Sequence, residues 1–188
     1  MKSMNWQQYL DYTQEILESK EPLPPYDNPD YHHYTKMNET RMKRWLKTNP
    51  ITDETASVIK AINKPQQWVV ITEPWCGDAA HIVPIIYLMS ALNEKISLSL
   101  QLRDGDSEID QYLTNGSKSI PILVVRDETG KDLFSWGPRP KEGQKMYLEL
   151  AERKADFEEI KTAIQNYYNG DKSLSTQLEI SQLLQKAQ

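Results

Sequence analysis

The 188-residue sequence holds a single cysteine, Cys76, within Glu73-Pro74-Trp75-Cys76-Gly77-Asp78-Ala79-Ala80. A thiolate is the most nucleophilic group a protein side chain offers near neutral pH, and two thiols at Cys-x-x-Cys spacing can close a disulfide within one site. Here Ala79 occupies the second position. The thiol can therefore bond only to a partner protein, a small thiol of the glutathione kind or an oxidant, which excludes ordinary dithiol reduction. A free thiol with a pKa near 8.5 is only about 3% ionised at pH 7. A helix starting at Cys76 or Gly77 would favour the anion by about 0.3–1 kcal/mol. Asp78, two residues on, opposes it by roughly 1 kcal/mol at about 6 Å in a watery dielectric. These nearly cancel, and the expectation is a modestly reactive thiol with a pKa of about 7–8.5.

Other chemistry-bearing residues point less firmly. His81 lies five residues past Cys76, about 140° around an ideal helix, which is poor placement for a base; it reads as a surface residue. His32-His33 with Asp30 reads as polar surface in a Tyr- and Pro-rich stretch, and no metal is expected. Trp136-Gly137-Pro138-Arg139-Pro140 is either an aromatic wall beside the thiol or the core-facing end of a strand. Pro22, Pro24 and Pro25 with Tyr26, Tyr31 and Tyr34 read as a segment wrapped over the core.

A net charge of −5 disfavours a nucleic-acid partner, whose phosphates call for clustered cations. The one basic cluster, Lys36 to Lys47, reads as the wet face of a helix. No window approaches the roughly 18 apolar residues of a membrane span. The N-terminal residues lack the apolar stretch of a secretory signal, and a lone cysteine suits a reducing cytoplasm, so a cytoplasmic location is expected.

The elements that must position Cys76 follow from periodicity. Apolar residues at helical spacing predict helices over 4–19, 34–47 and 52–62. The Pro-rich run from Glu21 to Pro29 separates the first two, because proline fixes φ and removes a donor. Trp68 to Ile71 reads as a buried strand, 79–92 as a helix, 96–102 as a strand and 106–113 as a short helix. Strands at 120–126 and 131–136 flank Asp127-Glu128-Thr129-Gly130, which is hairpin turn chemistry. Helical pattern resumes after Pro140 and stops at Asn169-Gly170, and a last amphipathic segment covers 174–184. The sum is helices, then β-α-β-α-β-β-α, then one more helix.

This order carries a resemblance to the thioredoxin-like family. Trp75-Cys76-Gly77 follows a buried strand and opens a helix. Pro84 matches the proline inside the thioredoxin active-site helix, Ile120-Pro121 the family's cis-proline, and Gly137 the glycine beside its substrate groove. The motif is closest to the Trp-Cys-Gly-Asp-Cys subgroup of bacterial thioredoxin-like proteins, with Ala79 for the last cysteine. Val70 stands where thioredoxin has a buried Asp, so the dithiol machinery is missing as a set. The resemblance implies an α/β thioredoxin-like fold: a mixed sheet flanked by helices over residues 51–169. An N-terminal helical extension (1–50) and a C-terminal helix (170–188) would pack on it. It implies Cys76 as the catalytic residue and a substrate groove of Trp75, Gly77, Asp78, Ile120, Pro121, Trp136 and Gly137, with no cofactor. Two functions stay open: monothiol exchange with a protein or low-molecular-weight thiol or disulfide, and a non-catalytic interaction module.

Overall fold

The computed structural model describes residues 3–187. Seven helices and four strands follow in the order α1 (Trp6–Glu18), α2 (Pro29–Thr48), α3 (Asp53–Lys60), β1 (Gln66–Thr72), α4 (Gly77–Ser90), β2 (Ile96–Leu102), β3 (Ile122–Arg126), β4 (Asp132–Trp136), α5 (Lys141–Glu152), α6 (Phe157–Asp171) and α7 (Leu174–Ala187), with a 3-10 turn at Ile109–Gln111. The strands form one mixed sheet in the order β2-β1-β3-β4. β1 runs parallel to β2 and antiparallel to β3, and β3 pairs antiparallel with β4. This is the expected α/β architecture.

Burial explains the centre of the sheet. Trp68, Val70 and Ile71 of β1 and Leu123, Val124 and Val125 of β3 are inaccessible to solvent, as befits continuous apolar strands covered on both faces. α4 packs on β1 and β2 and is apolar nearly all round, with Ile82, Val83, Ile85, Ile86 and Met89 fully buried; a helix of that kind belongs inside a protein. At the other margin Met4 exchanges two 2.8 Å backbone hydrogen bonds with Leu100, satisfying part of the otherwise open edge of β2.

Four elements differ from expectation in their bounds. α2 starts at Pro29 rather than residue 34, with Asn28 as N-cap accepting from Asp30 N–H at 2.9 Å. Proline breaks a helix interior but suits the first helical position, where its missing N–H costs nothing. α4 starts at Gly77 rather than Ala79, making Cys76 its N-cap. The short helix at 106–113 shrinks to the 3-10 turn, and α6 runs through Asn169-Gly170 to Asp171 before Lys172 ends it in the left-handed conformation.

Candidate functional site

The sheet register assembles the site. Ile71 near the end of β1 pairs with Ile122 at the start of β3, and Leu123 pairs with Trp136 at the end of β4. The loop after β1, the Ile120-Pro121 entry to β3 and the Gly137 exit from β4 therefore meet at one end of the sheet. The Ile120–Pro121 peptide is cis. Cys76 Sγ approaches the Ile120 carbonyl at 3.5 Å. Gly137 has φ +128°, and a Cβ there would stand 2.3 Å from the Pro121 carbonyl oxygen; only glycine admits this approach without a backbone shift.

Cys76 is the N-cap of α4, yet only 6% exposed. Burial, with Asp78 second, pushes its thiol up to about 12; the amides of Ala79 and Asp78 and the charge of Arg139 act the other way without reversing it. This corrects the expected 7–8.5. The helix amides and Asp78 act in the directions expected, but desolvation, a product of tertiary packing, outweighs them.

Asp78 is not the free anion its sequence position suggested. Arg139 donates from Nε to Asp78 Oδ1 at 2.9 Å and from Nη2 to Oδ2 at 2.7 Å, and the Tyr168 hydroxyl donates to Oδ1 at 2.7 Å. The Asp78 and Arg139 side chains are 11% and 14% exposed. A two-pronged pair of this kind is geometrically specific. Gln144 Oε1 accepts from Arg139 Nη1 at 3.0 Å, and the guanidinium stacks 4.1 Å from the Tyr147 ring.

The flank of the loop is built by the N-terminal segment. Asn38 Nδ2 donates to the Pro74 carbonyl at 3.0 Å and the Tyr26 hydroxyl to Glu73 Oε2 at 3.1 Å. Tyr31 meets the Trp75 ring edge-on at 5.3 Å, and Arg103 lies 4.6 Å over that ring. Arg41 Nη1 lies 4.0 Å from where a Cβ on the exposed Gly77 would stand. The wet face assigned to Lys36–Lys47 thus has one exception, the half-buried Arg41.

Glu73 is a buried carboxyl three residues before Cys76, and nothing in the sequence singled it out. Val70 is apolar and buried as expected, but Glu73 accepts from Asp104 N–H at 2.9 Å as well as from Tyr26 and is only 3% exposed. Burial pushes its carboxyl up to about 7 against the pull of those hydrogen bonds. His81 is a second correction. It is buried, accepts from Trp45 Nε1 at 3.1 Å through Nδ1, contacts Gln165 Oε1 at 3.2 Å through Nε2 and stacks on Tyr168. Burial pushes it down to about 4, so it is neutral and structural.

Cys76, Gly77, Asp78, Ile120, Pro121, Gly137 and the half-buried Trp75 thus gather at one end of the sheet. Trp136 is the outlier. Its ring is buried and its Nε1 donates to Glu179 Oε2 of α7 at 2.8 Å, which commits it to packing β4 on that helix.

A family model described as thioredoxin matches residues 25–161. The chain belongs to the thioredoxin family. No curated protein matches this thioredoxin-family chain. Two solved structures share its fold. A protein of unknown function from Pseudomonas aeruginosa is 14% identical with a TM-score of 0.60, covering 98% of this chain and 99% of the other. An HIV epitope-scaffold is 16% identical with a TM-score of 0.61, covering 98% and 100%. No helix among the described residues is long and apolar enough to cross a membrane.

Proposed function

We propose that this protein acts in thiol–disulfide exchange through Cys76 alone, forming mixed disulfides with a protein or small-molecule disulfide laid against Ile120-Pro121. The observation that carries the reading is the meeting of Cys76 Sγ and the Ile120 carbonyl at the Ile120-Pro121 entry to β3. In the step, the Cys76 thiolate attacks one sulfur of the substrate, the substrate S–S bond breaks, and the departing sulfur leaves as a thiolate that takes a proton. An external thiol then attacks the mixed disulfide and returns Cys76 to the thiol. Such resolution belongs in a reducing compartment, in keeping with a cytoplasmic location.

With the thiol at about 12, only about one molecule in 100,000 is ionised at pH 7. Exchange is therefore slow in the resting protein. That burial favours a second reading, a non-catalytic interaction module that keeps the groove without the chemistry. Intact-mass spectrometry of native protein incubated with a small disulfide, in parallel with Cys76→Ser, separates the two. Monothiol exchange predicts one adduct on the native chain, forming faster as pH rises, and none on the variant. A folded native chain that forms no adduct at any pH, with partner capture preserved in Cys76→Ala, establishes the module instead.

A further inference from the structure

Three arginines surround the Cys76 loop, and two of them are neutralised. Arg139 is spent on Asp78, whose two carboxylate oxygens are both occupied, Oδ1 by Tyr168 as well. Arg103 pairs with Asp104 through Nε and Nη2 at 2.7 and 3.0 Å. Arg41 differs. Its one hydrogen bond to a side chain is from Nη1 to the neutral Asn38 Oδ1 at 2.9 Å, and among the described residues no carboxylate stands within ion-pair distance of it. Asn38 is in turn fixed by its bond to the Pro74 carbonyl. The chain Arg41–Asn38–Pro74 thus holds a guanidinium against the turn that carries the thiol, beside the exposed Gly77.

A half-buried cation is costly unless something pairs with it. Burial and the neighbouring Arg44 both push Arg41 down from its ordinary value, which is the direction of a cation short of a counter-ion. Arg44 itself is turned to Asn169 and the Trp45 ring. The guanidinium fork suits a carboxylate in two-pronged geometry. The only carboxylate next to Gly77 in sequence, Asp78, is already saturated. No carboxylate among the described residues supplies the partner.

We propose that Arg41 makes the site selective for disulfides that carry a carboxylate near the reacting sulfur, and that it holds this carboxylate beside Gly77 while Cys76 attacks. The inference rests on the monothiol reading and names its substrate class. The covalent step is unchanged: one S–S bond breaks and one forms, and the carboxylate stays ionised throughout.

The test compares two chromogenic aryl disulfides, the dianionic dithiobis-nitrobenzoate and the neutral dithiodipyridine, as second-order rates with Cys76 of the native chain, Arg41→Gln and Arg41→Lys. The readout is the ratio of the anionic to the neutral rate, so a general loss of reactivity or packing cancels. Arg41→Gln should lower the ratio about sixfold at low salt, the value for one ion pair about 5 Å apart at an effective dielectric near 60. Arg41→Lys should restore most of it, and added salt should shrink the native ratio toward that of Arg41→Gln. An unchanged ratio in Arg41→Gln overturns the assignment while leaving monothiol exchange standing. If Cys76 of the folded native chain reacts with neither probe, the monothiol reading falls and this inference falls with it.

Discussion

Replacing Glu73 by Gln should stabilise the protein, and only on the alkaline side. The carboxyl rises from an ordinary 4.5 to about 7 because folding strips it of water, and the hydrogen bonds from Asp104 N–H and the Tyr26 hydroxyl recover only part of that cost. The hydroxyls of Tyr9 and Tyr12, the carboxylate of Asp104 and the guanidinium of Arg103 also face it. A group whose folded pKa is raised binds its proton more tightly when folded. Its stability contribution is complete below pH 4.5 and is lost as pH climbs through 7. At about 1.36 kcal/mol per unit, the displacement amounts to at most about 3 kcal/mol. Glutamine keeps an acceptor for the Asp104 amide and a polar group for Tyr26 but cannot ionise. Urea denaturation of both proteins at pH 4.5 and 8.5, at fixed ionic strength, measures the gap. The two should be nearly equal at the lower pH, with Glu73→Gln ahead by up to about 3 kcal/mol at the higher. A gap that does not change with pH, or a native chain more stable than the variant at pH 8.5, would refute the claim that desolvation dominates at Glu73.

The Asp78–Arg139 pair should tune Cys76 in opposite directions. Asp78→Asn removes an anion near the thiol and lowers its apparent pKa in alkylation against pH, while Arg139→Met raises it; shifts of the same sign would show that only packing was disturbed. Each single variant leaves a buried charge unpaired at a cost of about 3–5 kcal/mol, much of which the double variant recovers in chemical denaturation. His81→Phe should cost about 1–3 kcal/mol by orphaning the Trp45 indole N–H. Because the folded His81 pKa is depressed to about 4 from 6.5, the native chain loses stability as pH falls across that interval and the variant does not, as paired melts at pH 4 and 7 would reveal. Gly137→Ala should lower the melting temperature by several degrees, since its Cβ would stand 2.3 Å from the Pro121 carbonyl oxygen; an unchanged melt would mean that the loop yields freely.

What the sequence disclosed divides along a physical line. Elements whose signals are local were legible: apolar runs marked the strands, Asp127-Glu128-Thr129-Gly130 marked the hairpin, and Pro84, Pro121 and Gly137 marked the fold. Among the local signals misread, Asn169-Gly170 lies inside α6 rather than ending it, and Pro29 is ambiguous in itself, because the same residue ends one helix and opens another. The electrostatics of the site were not legible, because its partners are distant in the chain. Asp78 meets Arg139 across 61 residues and Tyr168 across 90, and Glu73 meets Tyr26 across 47. Along the sequence Asp78 stands next to Cys76, whereas the cation that neutralises it and the burial that dominates the thiol arise only in the fold.

The same distances change what the N-terminal helices are. Read from the sequence, residues before 50 were an extension packed on a finished core. In the fold, Tyr26, Tyr31, Asn38 and Arg41 reach Glu73, Trp75, Pro74 and Gly77 in turn, so this segment forms one wall of the thiol site. It excludes water from Glu73, and it brings the one arginine that the loop does not neutralise. On the monothiol proposal, the shielding of the loop that carries Cys76 and the charge of what the thiol meets both depend on this segment.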